Sequence, residues 1–110
     1  MSASIEYLAK AKQYISANPF FFISKSWCPD CHYLERTLVQ NNLRSKFVVL
    51  ELDKLADQNE ARQLELAFTE IAGRKWVPTI WKNGEVWGTE RDVKDLERQG
   101  GSEKVKEAFK

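Results

Sequence analysis

Apolar residues return at helical spacing at Ile5, Leu8, Ala9, Ala11, Tyr14 and Ile15, which predicts an amphipathic helix over about residues 4–17. Asn18-Pro19 ends it, because proline disfavours helical geometry in the residue before it. The unbroken run Phe20-Phe21-Phe22-Ile23 has strand length and reads, through Ser24, as a strand buried on both faces in the middle of a mostly parallel sheet. Residues 29–43 suit a second helix, with Pro29 in the first turn, where a missing N–H costs nothing. Tyr33, Leu34 and Leu38, with Leu43 at the end, form its inner face. Lys46 to Leu52 reads as a second strand. Ala61, Leu64, Phe68 and Ile71 mark a third helix over about residues 56–72, with Gly73 as its C-cap.

Beyond that helix the period changes. Thr79–Lys82 and Glu85–Gly88 flank Asn83-Gly84, a dipeptide that favours a type I′ turn, so they form an antiparallel hairpin. A fourth helix runs from about Arg91 to Arg98 and stops at Gly100-Gly101. Ser102 then caps a short surface helix ending near Phe109. The element order predicts an α/β fold: a mixed four-stranded sheet with helices on both faces and a right-handed parallel β-α-β unit. There is no linker or repeat, and 110 residues suit one domain over 1–110.

Charge excludes more than it suggests. Seventeen basic and 16 acidic residues leave a net +1, so no global basic field points to nucleic acid. No run of 18 apolar residues exists to span a membrane. Met1–Lys10 lacks a basic region followed by an apolar one, so no secretory signal is expected, and the cytoplasm is the expected compartment. A monomer is the expected form. Cys28, Cys31 and His32 are the only cysteines and histidine, which excludes a disulfide scaffold and a four-ligand Cys/His zinc site; no metal is expected.

The remaining chemistry is the pair itself. Ser26-Trp27-Cys28-Pro29-Asp30-Cys31 lies between the first strand and the second helix, and a C-x-x-C beside a β-α-β pattern suggests a dithiol redox centre. A helix N-terminus carries unpaired N–H groups and about half a positive charge, which favours the thiolate of a cysteine at the cap. Cys28 is therefore the attacking thiol. Cys31, one turn inside, is more shielded and resolves the mixed disulfide. Asp30 either caps the first turn or opposes the Cys28 thiolate, and Lys25 acts the other way; each charge is worth on the order of a kcal/mol or less. His32 reads as a solvent-facing helix residue.

These residues bring a family into view. Lys25-Ser26-Trp27-Cys28-Pro29-Asp30-Cys31 resembles the Lys-Ser/Thr-x-Cys-Pro-Tyr-Cys segment of dithiol glutaredoxins. Trp76-Val77-Pro78 resembles their Thr-Val-Pro, and Asn83-Gly84 with Gly88-Thr89-Glu90-Arg91-Asp92 resembles their Asn-Gly…Gly-Gly-x-Asp-Asp. The likeness is strongest to divergent fungal members of the Cys-Pro-Asp-Cys type. It implies a thioredoxin-like fold and a glutathione-dependent disulfide oxidoreductase acting on disulfide or glutathionylated protein clients. It further implies a cis Pro78 facing the cysteines and a Val77 backbone that pairs with glutathione like an added strand. Lys25, with Arg74 or Lys75, would meet the glycine carboxylate, beside Trp27 as an exposed platform. Backbone N–H groups at Thr89-Glu90 would hold the γ-glutamyl carboxylate, and a carboxylate there its amine.

Three departures fall in that groove. Asp30 replaces Tyr, Trp76 replaces Thr, and Thr89-Glu90-Arg91 replaces Gly-x-Asp. Weak glutathione binding and low activity are therefore expected. Trp76 either walls the groove or packs as core, while Trp81 and Trp87 read as packing. Trp27-Cys28-Pro29-Asp30-Cys31 is also similar to thioredoxin-related proteins of the Trp-Cys-Pro-Asp-Cys type, which implies thioredoxin reductase as an alternative electron source. Phe22 stands where thioredoxins carry a buried Asp. A redox-sensing or iron–sulfur-binding module is the third alternative.

Overall fold

A computed structural model describes residues 3–110. Helix α1 (Ile5–Ala17) leads into β1 (Phe20–Ser24), α2 (Pro29–Gln40), β2 (Val48–Glu51), α3 (Gln58–Ala72), β3 (Thr79–Lys82), β4 (Glu85–Thr89) and α4 (Glu90–Ala108). The sheet order is β2-β1-β3-β4. β1 runs parallel to β2 and antiparallel to β3, which runs antiparallel to β4. The sheet is thus mixed, and β1 sits at its centre with Phe21 to Ser24 buried, but it is not mostly parallel: the Asn83-Gly84 turn returns the chain as a hairpin. This is the thioredoxin-like architecture implied by the resemblance.

Alternation along β1 builds two cores. Phe21 and Ile23 point to one face, where they join Trp81, Leu64, Ala67 and Phe68 beneath α1 and α3. Phe22 points to the other and meets Ile80, Leu34, Leu38, Val93, Val105 and Phe109 beneath α2 and α4. No helix among the described residues is long and apolar enough to cross a membrane.

Local signals set most boundaries. Gly73 caps α3 in the left-handed region at φ 82°, its N–H donating to the Thr69 carbonyl at 2.8 Å. Asn83 and Gly84 have φ 52° and 87°, as a type I′ turn requires. Asp57 caps α3 through its carboxylate.

Five expectations are corrected. Ile5 is 87% exposed and Ala9 is exposed, because at 100° per residue they lie about 120° and 160° around α1 from Ala11. Helix α2 ends at Gln40 rather than 43: Asn42 turns left-handed at φ 59° and Leu43 bonds back to the Leu38 carbonyl at 2.8 Å. Short 3-10 turns at Arg44–Lys46 and Leu52–Lys54 trim the second strand at both ends. Helix α4 begins one residue earlier, at a Thr89 capping box closed by Asp92, although its break does fall at Gly101 (φ 64°, ψ −146°), where the glycine pair places it.

The fifth correction is the C-terminal helix, which is no mere surface element. Ser102 donates to Asn41 Oδ1 across the fold, and Val105 and Phe109 are fully buried. The Phe109 ring lies 4.7 Å from that of Trp87 and 5.2 Å from that of Phe47. Lys46 and Lys82 close the end by donating to the Phe109 and Ala108 carbonyls at 2.9 and 2.7 Å.

Candidate active site

Strand β1 delivers Lys25 to Trp27 as a turn whose next residue, Cys28, is the N-cap of α2. The Cys28 N–H donates to the Lys25 carbonyl at 3.1 Å, and the His32 N–H donates to the Cys28 carbonyl at 3.0 Å. No side chain caps this helix, so its first N–H groups stay free beside the Cys28 sulfur. That sulfur lies 3.8 Å from the Val77 carbonyl oxygen, and the Val77–Pro78 peptide is cis.

Both cysteines are free thiols, 7% and 1% exposed for Cys28 and Cys31. Burial pushes the Cys31 thiol up to about 11, against smaller opposing effects from the Ser24 hydroxyl and the Lys25 backbone. Cys31 therefore stays protonated at neutral pH.

The turn is fastened from two sides. Asp53 accepts from the Ser26 N–H at 2.9 Å and from the Ser26 hydroxyl, bonds that hold its carboxyl below the ordinary range. The exposed ring of His32 reaches back through Nε2 to the Ser26 carbonyl. Trp27, between these anchors and Cys28, is 65% exposed.

An open groove of about 460 Å³ lies beside this turn, lined by Lys25, Trp27, Asp30, Glu65, Lys75, Trp76 and Val77. Lys25 pairs with Glu65 at 2.9 Å, its ammonium 5.7 Å from the Trp27 ring. Lys75 is exposed. Arg74, also exposed, does not line the groove; its guanidinium lies 5.6 Å from the Trp76 ring. Trp76 is half-buried and donates through Nε1 to Glu90 Oε1 at 2.9 Å. It walls the groove without joining either core.

A second cavity, about 580 Å³, opens on the far side of Trp76 between Asp30 and the first turns of α4. Glu90, only 2% exposed, faces it together with Arg91, Lys94 and Arg98. Asp30 lies 3.9 Å from Lys94, both about half exposed. Thr89 is buried: its N–H donates to Asp92 at 2.8 Å, and its hydroxyl accepts from the Arg91 N–H at 3.2 Å. A Cβ on Gly88 would strike the Asp92 carboxylate, so this corner requires glycine.

The structure thus gathers Cys28, Cys31, Lys25, Trp27, Asp30, Lys75, Trp76, Val77 and Pro78 at one end of the sheet, and sets Thr89 and Glu90 behind Trp76. Sequence reasoning missed Glu65, Asp53 and Ser24. Glu65 carried no motif, being one polar residue on an amphipathic helix, whereas Asp53 just past a strand end was a weak signal for a turn anchor.

A family model described as Glutaredoxin matches residues 20–87. Glutaredoxin-8 of Saccharomyces cerevisiae is 35% identical over 94 residues, covering 86% of this chain and 85% of the relative. Glutaredoxin-1 of the same yeast is 35% identical over 106 residues, 94% of each chain. The solution structure of yeast dithiol glutaredoxin Grx8 superposes with a TM-score of 0.80 at 32% identity over 96% of both chains.

Proposed function

The chain belongs to the glutaredoxin family and is a glutathione-dependent thiol-disulfide oxidoreductase, and from that premise we propose that Cys28 attacks and Cys31 resolves. The observation that carries this assignment is the asymmetry of the pair: both are buried, but Cys28 stands at the uncapped start of α2 while Cys31, one turn inside, is the more deeply buried and is held neutral.

The Cys28 thiolate attacks one sulfur of a client disulfide. The Cys28–sulfur bond forms, the client S–S bond breaks, and one client thiolate leaves and takes a proton. Cys31 then gives up its proton and attacks the Cys28 sulfur, closing the Cys28–Cys31 disulfide and releasing the second client thiol. A first glutathione thiolate attacks Cys28 and frees Cys31. A second attacks the glutathione sulfur, leaving glutathione disulfide and the Cys28 thiolate.

Glutathione lies in extended form against the Val77 backbone beside Pro78, with its glycine end toward Lys25 and Lys75 and the Trp27 face alongside. Its γ-glutamyl end lies toward Thr89 and Glu90. Support for a low turnover comes from Trp76, whose bond to Glu90 stands between the groove and that end. Arg74, stacked on Trp76, acts there through the indole rather than on the ligand. Disulfide-bonded or glutathionylated proteins in a reducing compartment, the cytoplasm, are the clients.

The test supplies the oxidised protein with glutathione and glutathione reductase, or with thioredoxin and thioredoxin reductase, and follows NADPH. Turnover with glutathione that is lost in Cys28→Ser supports the assignment. Turnover only with the thioredoxin system sinks it in favour of the Trp-Cys-Pro-Asp-Cys alternative.

A further inference from the structure

We infer that Glu65 is a specificity-determining residue of the groove: it neutralises Lys25 and turns the site from thiol partners with a free carboxylate toward those whose corresponding end is uncharged or basic. The inference rests on the proposed placement of the glycine end of glutathione beside Lys25.

The two side chains meet at 2.9 Å and are each only about one-fifth exposed (20% and 19%), so water screens the pair less than it would at the surface. The Lys25 ammonium is already taken up on one side by Glu65 and on another by the Trp27 ring at 5.7 Å. An incoming carboxylate must share that ammonium with a carboxylate of like charge or displace it. The groove as a whole is balanced: Lys25 and Lys75 are countered by Asp30 and Glu65. Glutathione carries two carboxylates and one ammonium, so it gains no net attraction from such a lining. A partner with an amide at that position loses nothing, and one with a basic side chain meets Glu65 directly.

A purely structural role for the pair, tying the end of β1 to α3, makes a different prediction, because it is blind to the charge of the ligand. The experiment compares two mixed disulfides of the same small peptide, one with glutathione and one with its glycinamide derivative, which lacks only the glycine carboxylate. KM and kcat are measured for the wild type and for Glu65→Gln, an isosteric change. The wild type is expected to handle both within about two-fold, while the variant prefers the glutathione form about five-fold in KM with kcat unchanged, the worth of one freed ion pair.

The wild-type comparison stands without any variant: a strong existing preference for the carboxylate overturns the assignment. So does a variant that treats the two substrates alike. Absence of turnover with either mixed disulfide overturns the parent reading, and the assignment with it.

Discussion

The indole N–H of Trp76 donates to the buried carboxylate of Glu90 at 2.9 Å, and the bond holds the ring as a partition between the groove and the cavity beside α4. The guanidinium groups of Arg74 and Arg91 approach that ring at 5.6 and 5.8 Å and add to its hold.

Two substitutions separate the roles of this partition. Trp76→Phe keeps a ring but removes the donor, so Glu90 loses its partner and urea denaturation should show a loss of about 1–3 kcal/mol. Its KM for a glutathione mixed disulfide should stay near that of the wild type. Trp76→Thr removes donor and partition together; stability should fall by a similar amount while KM falls several-fold. Equal KM values for all three proteins would mean that Trp76 does not obstruct the substrate.

The Ser26 turn carries its own pH signature. Hydrogen bonds from Ser26 hold the Asp53 carboxyl below its ordinary value, so the folded state binds that proton less readily than the unfolded chain. The stabilisation is therefore present above the unfolded value, about 3.9, and is lost as pH falls through the folded one. Urea midpoints measured from pH 6 downward, about two units either side of that value, should fall less steeply in Asp53→Asn than in the wild type. The same variant should slow turnover by loosening Trp27 and Cys28, since Asp53 anchors the residue before them. An unchanged acid limb would remove Asp53 as the anchor.

What was legible in the sequence follows the range of the interaction. Pro29, Gly73 and Asn83-Gly84 act on their own backbone, and each lies where its chemistry demands. The placement of Cys28 was legible because it depends on a local device, the start of α2. Glu65, 40 positions from Lys25, and Asp53, 27 from Ser26, are joined to the site only by the packing of α3 and the end of β2 against the turn. Ile5 misled because one apolar side chain at roughly helical spacing says little about which face meets the sheet. Phe109 misled because a charged, glycine-preceded terminus looks like solvent until Phe20, Phe47 and Trp87 are brought around it.

That terminal ring gives the clearest stability prediction. Phe109 is fully buried and contacts rings from β1, β4 and the turn before β2. Phe109→Ala should cost about 3–5 kcal/mol, a large share of a small domain's stability. Lys110→Ala, one residue on and exposed, should change the urea midpoint little. Comparable effects from both would return the C-terminal helix to the surface.

The buried thiol of Cys31 links stability to mechanism. Burial favours its neutral form and raises it from 9.0 to about 11, so the folded state holds the proton more tightly than the unfolded chain. The associated stabilisation is complete below the unfolded value of 9.0 and is lost as pH rises to about 11. Reactivity should follow the same window. In Cys28→Ser, alkylation of Cys31 by iodoacetamide should be slow at neutral pH and rise with a midpoint near 11, slightly lower for want of the Cys28 contribution. Ser24→Ala removes a hydrogen bond that favours the thiolate, so its midpoint should move higher still. A midpoint near 9.0 in the first variant would mean that Cys31 reacts from an opened chain, and the burial argument for its resolving role would fail. The same burial keeps Cys31 protonated at neutral pH, and the neighbouring Cys28 adds to that only slightly.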